Sequence, residues 1–515
     1  YIEPERYSSD FSVDYMGIYN SNYSGITNNI GVKGSSNNFS YVLRGNMTDN
    51  QNFSTPGGEV ENTWLTENDI QAGLKYQTEN FSSDLRLSTN ISELGIPDPD
   101  IEQGQQGSYQ ELSHTMLTWK NNVDLGNDHN LEVTLGRQVN DRKEFGGHEE
   151  EGHDDHDDHE EEGHDDHDDH GHGESDAELD MELITNTLDM SLTMPQSDNF
   201  NLIIGSNILS QENKNFGHEE LIPDAEMNDF GLYGLGQITM ENGAALIGIR
   251  YDSRSITSEM GSADFSNFNG SVGIKRNFDN SSLRINLGSG YRAPSLIELF
   301  ADGVHHGTFR YEKGNASLEA ETSFQTDMTL EINNDDSNLS FDLFYNDIND
   351  YIYVSPSSLN MDGYKVYNYM QQNATLWGGE IHYSKQTGID WLTSHTSLEY
   401  INGETADGDA LPFIAPLTFN QVLTANISSN YSFEIDFLAK AKQSRVSQFE
   451  EETDGYSLLN LSGNWKTSFL DNDLNIFWSI DNVFDKEYMD HLSRLKTAGI
   501  HEMGRNISVG LKYNF

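Results

Sequence analysis

The last ten residues, Asn506-Ile-Ser-Val-Gly-Leu-Lys-Tyr-Asn-Phe515, alternate without a break: Ile507, Val509, Leu511, Tyr513 and Phe515 are apolar, and polar or small residues separate them. Successive side chains of an extended chain point to opposite faces, so this is a strand with one apolar face. The same period of two governs Asn475-Ile-Phe-Trp-Ser-Ile480, Phe433-Glu-Ile-Asp-Phe-Leu-Ala-Lys440, Phe341-Asp-Leu-Phe-Tyr-Asn-Asp-Ile348 and Leu283-Arg-Ile-Asn-Leu-Gly288. A helical period of 3.6 is hardly seen.

The connections alternate as well. Short polar turns such as Leu470-Asp-Asn-Asp-Leu474, Gln386-Thr-Gly-Ile-Asp390 and Phe278-Asp-Asn-Ser-Ser282 take turns with long polar segments at 485–503, 293–317, 211–226 and 141–180. Short turns at one end and long loops at the other mark a bacterial outer-membrane barrel. From Phe11–Asn20 to Gly504–Phe515 the pattern gives 22 candidate strands. That is about 23 residues for each strand with its connection, as a span of roughly 9 to 11 residues requires. Residues 1–515 therefore read as one all-β unit, a transmembrane antiparallel β-barrel of 22 strands with long outer loops and short periplasmic turns. A soluble propeller would repeat every 40 to 50 residues or so, and no such repeat is visible.

Composition narrows the chemistry. There are 29 Lys and Arg against 85 Asp and Glu, a formal net charge of −56. Nucleic acid is excluded as a partner, because its binders carry a basic footprint. With no Cys, disulfides, thiolate metal sites and cysteine nucleophiles are excluded. No apolar run approaches the roughly 20 residues of a spanning helix, and the N-terminus Tyr1-Ile-Glu-Pro-Glu-Arg6 has neither an initiator Met nor a signal-peptide pattern, which suggests a processed or truncated chain. No zincin, nucleophile-elbow or phosphate-loop motif occurs, so no catalytic residue and no catalytic cofactor is expected.

Several segments resemble one family. Gly290-Tyr-Arg-Ala-Pro-Ser-Leu-Ile-Glu-Leu-Phe300, Gly314-Asn-Ala-Ser-Leu-Glu-Ala-Glu-Thr322, Phe344-Tyr-Asn-Asp-Ile348, Asp481-Asn-Val-Phe-Asp-Lys-Glu-Tyr488 and the closing Gly504-Arg-Asn506 to Phe515 resemble TonB-dependent outer-membrane receptors, in the order and spacing of that family. The resemblance implies a monomer in the lipid of a Gram-negative outer membrane, energised by the TonB complex through an N-terminal region. In that family an N-terminal plug fills the barrel; here strand one begins within about a dozen residues of Tyr1, so the plug and the TonB contact are expected to lie outside this chain.

The segment His148-Glu-Glu-Glu-Gly-His-Asp-Asp-His-Asp-Asp158 repeats unchanged at 159–169 and continues as His170-Gly-His172. It brings together His148, His153, His156, His159, His164, His167, His170 and His172, and the run His148–Glu182 holds 19 carboxylates and no Lys or Arg. Imidazole suits zinc, copper, nickel and iron, and carboxylates add hard ligands. A charge run is usually only a solvated stretch, but mere solubility does not call for histidines. Strand counting puts the segment, residues 141–180, between strands seven and eight, facing outward. The same counting places His218, then Asp302 with His305 and His306, then His491 and His501, in outer loops, and His382 and His395 on strands sixteen and seventeen. Of these, Asp302, His305 and His306 form a candidate transit site just beyond the family's arginine motif, and His218 is a further candidate ligand.

Within the resemblance, His-rich outer loops look like those of receptors for zinc. Zn²⁺ is thus the expected cargo, collected by the tract and passed inward. The alternatives are another metal or a metal chelate such as a siderophore, haem or cobalamin, and, from a different class, a surface adhesion barrel.

Overall fold

The computed structural model describes residues 7–97, 107–146, 177–217, 219–305, 308, 310–361, 363–470 and 472–515. Among these, 22 strands close into one antiparallel barrel. In chain order they are β1 Ser12–Asn20, β2 Gly25–Ser36, β3 Phe39–Asn50, β4 Leu65–Gln77, β5 Phe81–Gly95, β6 Tyr109–Gly126, β7 His129–Phe145, β8 Leu179–Ser197, β9 Phe200–Asn215, β10 Ala225–Met240 and β11 Gly243–Ser258. They continue with β12 Gly261–Asn277, β13 Ser281–Arg292, β14 Glu321–Asn334, β15 Ser337–Met361, β16 Tyr364–Gln386, β17 Leu392–Thr405, β18 Thr418–Asn426, β19 Tyr431–Lys440, β20 Tyr456–Phe469, β21 Asn472–Asp481 and β22 Asn506–Asn514. Each strand pairs with its sequence neighbour, and β1 closes the ring on β22 with Gly17 opposite Leu511. Closure leaves no sheet edge, as a hydrocarbon environment demands.

The two faces differ as the alternation requires. Ile507, Val509 and Leu511 of β22 point outward and are exposed, as are Ile26 and Ile30 of β2, Leu43 and Met47 of β3, and Phe268 of β12. Inward lie hydrogen-bonded polar groups: Arg44 donates to Asp14 at 2.9 Å, Asn46 and Asn90 donate to Asp69 at 2.9 and 2.6 Å, and Arg254 grips Asp229 through Nε and Nη2 at 2.7 and 2.6 Å. His382 and His395 also face the lumen, His382 beside Glu380 at 3.1 Å and His395 beside the Ser384 hydroxyl at 2.7 Å. Residues ahead of β1 run along this inner wall. The Tyr7 hydroxyl donates to Asp84 at 2.7 Å under the Arg86 guanidinium, and the Ser35 hydroxyl donates to the Ser8 carbonyl at 2.6 Å.

One end carries the tight turns. Between β6 and β7 the turn is Asn127-Asp128, both at positive φ (54° and 61°), a conformation these short polar side chains tolerate and the twist of a hairpin favours. Aromatic rings cluster beside these turns, with Phe39 4.9 Å from Tyr76 and Tyr431 6.0 Å from Trp465, as interfacial girdles do. At the other end the connections are unequal. Those at 21–24 and 259–260 are as short as the turns, and so is the one joining β15 to β16, the two longest strands: β15 has 25 residues and β16 has 23, against 9 in β18. At about 3.3 Å per residue, β15 extends to roughly 80 Å and projects well beyond the bilayer.

Candidate functional site at the long-loop end

The arginine motif builds the base of the long-loop end. After β13 the chain turns into a short helix, α1 (Leu296–Phe300), capped by Ser295 and Glu298 in a reciprocal capping box. Leu296, Leu299 and Phe300 bury against Ala225, Met227, Ile256 and Ile352. Arg292 reaches Glu298 through Nη1 at 2.8 Å and Glu321 through Nε and Nη2 at 2.8 and 2.7 Å, and Glu321 also accepts the Ile352 N–H at 2.6 Å. The motif ties β13, α1, β14 and β15 together, so its charges serve the frame.

Above α1 the loop forms a hairpin, Asp302–His305 against Arg310–Lys313, and the second strand continues in parallel along the tip of β16, with Glu312 opposite Tyr367. The projecting β15–β16 hairpin thus carries this loop. Glu312 is fully buried and accepts from His305 Nδ1 at 2.9 Å, Arg310 Nε at 2.7 Å and the Tyr369 hydroxyl at 2.6 Å. Burial alone pushes its carboxyl up, but His305, the Arg310 charge and Tyr369 together outweigh burial and hold the pKa at about 2. Asp302 is on the hairpin's other face, where it accepts the Tyr311 hydroxyl at 2.8 Å. The structure therefore does not bring Asp302 and His305 together, because an odd offset along a strand sends side chains to opposite sides.

A second buried cluster joins three other loops. Glu450 accepts the Phe413 N–H at 3.0 Å and the Ser447 N–H at 3.1 Å. His491 Nε2 lies 3.3 Å from its Oε1 and Lys496 Nζ 3.7 Å from the same atom. The other ring nitrogen of His491 meets the Thr453 hydroxyl at 3.0 Å. Burial raises the Glu450 carboxyl, yet His491, the two backbone N–H groups and Lys496 bring it to about 2; burial lowers Lys496 in turn, partly offset by Glu450. His491, read from sequence as an outer-loop residue, does lie in the long connection between β21 and β22, and there it is buried. His501 is half exposed, 3.6 Å from Glu487.

Between the two clusters lies a cavity of about 270 Å³ lined by Arg310, Arg494 and Lys496 together with Tyr367 and Phe413. Sequence reading missed it, since its residues come from segments far apart in the chain. The alternation Arg310-x-Glu312 on a short strand was the one local trace.

The ends from which the His tract leaves and returns are firmly set. Leu179 pairs with Glu144, the Glu178 N–H donates to the Glu144 carbonyl at 2.9 Å, and Glu144 is buried with Gln110 and Arg142 on it. His148, His153, His156, His159, His164, His167, His170 and His172 lie outside the described residues, as do His218 and His306. Among the described residues no three His, Asp or Glu side chains gather as metal ligands.

A closed barrel of 22 strands with an apolar outer face, a polar lumen and elaborate loops at one end is the body of an outer-membrane protein. The chain belongs to the TonB-dependent receptor-like β-barrel family, whose model matches residues 4–483. It is 24% identical over 266 residues to the ferrienterobactin receptor of Escherichia coli (strain K12), a match covering 46% of this chain and 34% of that receptor. The chain thus matches only about a third of that receptor's length. In fold it is similar to the copper transporter OprC, with a TM-score of 0.82 at 17% identity over 100% of this chain and 82% of that one. It is similar also to the FrpB iron transporter from Neisseria meningitidis (F3-3 variant), with a TM-score of 0.75 at 16% identity over 99% and 82%.

Proposed function

We propose that this barrel is the body of a monomeric receptor that takes up a metal ion, zinc foremost, across the outer membrane without covalent chemistry, driven by the TonB complex acting through a segment outside these 515 residues. The observation that carries the reading is the duplicated tract His148–His172, eight imidazoles among carboxylates with no Lys or Arg, on the outward connection between β7 and β8. Neutral imidazoles coordinate the ion directly, and the surrounding negative charge raises its local concentration. Many weak ligand sets in one stretch suit capture of several ions and their easy release. His305 is a candidate for the next step. Its Nδ1–H on Glu312 fixes the tautomer in which Nε2 carries the lone pair, the usual way a carboxylate orients a metal-binding histidine; His306 and His218 remain candidate partners.

The test is uptake of labelled zinc by cells carrying the full receptor, with and without residues 148–172. Uptake at scarce metal should fall in the deletion. Equal uptake by both would remove the tract from the mechanism. A second reading, import of an anionic metal chelate, is favoured by the cation-lined cavity and by the names of the relatives, which include a ferrienterobactin receptor. Competition with unlabelled siderophore or haem separates the two.

A further inference from the structure

The outer wall of the barrel carries a charge among apolar side chains. Arg137 on β7 lies opposite Leu117 on β6 and Asn186 on β8. Alternation puts its side chain on the outward face with Leu135 and Val139 of the same strand, and with Ile184 and Leu188 of β8. Arg137 is exposed there, as are Leu117 and Leu135. The guanidinium thus interrupts an apolar surface that continues above and below it. It stands nine residues up the strand from Asp128 of the tight turn, about 23 Å for a rise of roughly 3.3 Å per residue and a tilt near 40°. An apolar band about 25 Å tall reaches its outer-leaflet edge near that height.

A charge facing lipid needs a partner, and Arg137 has only a neutral one. Its Nη1 donates to Asn186 Oδ1 at 3.0 Å, and no carboxylate pairs with it among the described residues. The first acids on this face of β7 and β8, Asp141 and Glu182, are four residues higher. Elsewhere the outward cations avoid such a position. Arg276 and Lys385 stand beside tight turns, and above the band Lys143 is 3.3 Å from Asp180 and Lys214 is 2.7 Å from Glu212. In a chain with 85 acids, Arg137 is left to find its counter-charge outside the protein. The register row through it supplies a second, independent observation. Leu87 and Leu117 precede Arg137 in that row, and Asn186, Ser210 and Asn228 follow it on β8, β9 and β10. Directly below them run Leu135, Leu188, Ile208 and Phe230. Four adjacent strands thus present a polar strip roughly 14 Å long above an apolar one, at a strand spacing of about 4.8 Å.

We infer that this strip is a binding site for the phosphorylated sugar headgroup of an outer-leaflet glycolipid, with the phosphate on Arg137 and the acyl chains on the apolar row beneath. A guanidinium fork matches phosphate oxygens in two parallel hydrogen bonds, and the Asn186 amide holds the fork in place before the lipid arrives. The Ser210 hydroxyl and the Asn228 amide each donate and accept, as sugar hydroxyls require. A free phosphate would engage only the arginine, whereas the lipid also covers apolar surface. The site is on the membrane-facing wall, apart from the lumen and the His tract, and is independent of the choice of cargo.

Lipid A is the probe, titrated in its diphosphoryl and its dephosphorylated form into the full receptor in detergent, with bound lipid counted by native mass spectrometry. The parent should bind the diphosphoryl form about tenfold more tightly, and Arg137→Gln should bind the two forms alike. Asn186→Leu should weaken the diphosphoryl form about threefold, which keeps the test sound if Arg137→Gln fails to fold. Lys120→Gln, which removes a lumen-facing cation 2.8 Å from Glu132, should behave as the parent, and inorganic phosphate should not displace the lipid. Equal binding of both forms by the parent, a preference that survives in Arg137→Gln, or unchanged affinity in Asn186→Leu would each overturn the assignment. So would loss of the preference in Lys120→Gln or displacement by inorganic phosphate.

Discussion

In the run His148–Glu182, 19 carboxylates stand without one Lys or Arg among them, whereas in the loops above β13 to β22 the buried carboxylates each have a cation against them: Glu312 with Arg310, Glu450 with Lys496, and Asp490 with Lys440. Both regions are acidic loop sequence at the same end of the barrel. A carboxylate held against a guanidinium or an ammonium has its charge balanced, so it gives rigidity and adds little to cation capture. The repeat His148–His172 has no Lys or Arg within it to balance its carboxylates. On the function proposed above, the tract captures the ion and the loops above β13 to β22 form a rigid mouth, and acidity by itself does not tell them apart.

The largest effect that could break this division is deletion of residues 148–172. Zinc titration of the parent at neutral pH should show more than one ion bound, and the deletion should lose them. The heat-modifiable folded band on gels should persist, since β7 and β8 remain paired through Leu179 and Glu144 and outer loops contribute little to barrel stability. Loss of that band would mean that the tract supports the fold.

Glu312→Ala should act on the mouth alone. It leaves Arg310 and His305 facing a buried gap, and removing one partner of a buried pair costs about 3 to 5 kcal/mol. The expected result is rapid proteolysis and hydrogen exchange in 302–313 with the barrel intact. Unchanged protection of that hairpin would show that its pairing with β16 suffices.

Acid should then separate the regions in sequence. Imidazoles take up protons as pH falls through roughly 6.5, so zinc binding by the tract declines there. The Glu312 and Glu450 carboxyls are depressed to about 2, below the usual carboxylate value. Their contribution to the mouth is therefore fully present above about 4.5 and is lost as pH falls through about 2. Between these ranges the chain should release zinc while the mouth keeps its protection, as hydrogen exchange at pH 4 to 6 can show. Mouth opening in step with zinc release would mean the two regions are coupled.

The smallest and sharpest test is replacement of His305 and His306 by Ala. Zinc uptake at saturating metal should fall, because a transit ligand limits passage where the tract only raises supply, and uptake of a pre-chelated metal should change less. Unchanged zinc uptake would leave His305 as a structural partner of Glu312 only.

Alternation along strands such as 506–515, together with short polar turns such as Leu470-Asp-Asn-Asp-Leu474, was enough to give a 22-strand barrel and to place the His tract between the seventh and eighth strands. Both signals are local: a strand with one face in lipid must alternate, and a tight hairpin needs residues that accept positive φ. Strand ends were less legible. The segments around 141–180 and 211–226 read as loops, whereas β7 and β9 run several residues into them, because beyond the bilayer both faces of a strand meet water and alternation stops. For the same reason the tips of β15 and β16 gave no sign of their length.

The sequence by itself determined the membrane barrel and its family, since each depends on residues close together in the chain. Only the tertiary structure decided which charges are engaged. It set Asp302 and His305 on opposite faces of a hairpin, enclosed Glu312 among residues from 305 to 369, and drew Arg310, Arg494 and Lys496 around one cavity. Such partners are separated by up to nearly 190 residues, and a charge's partner is fixed by the packing of loops in space, which no local pattern records.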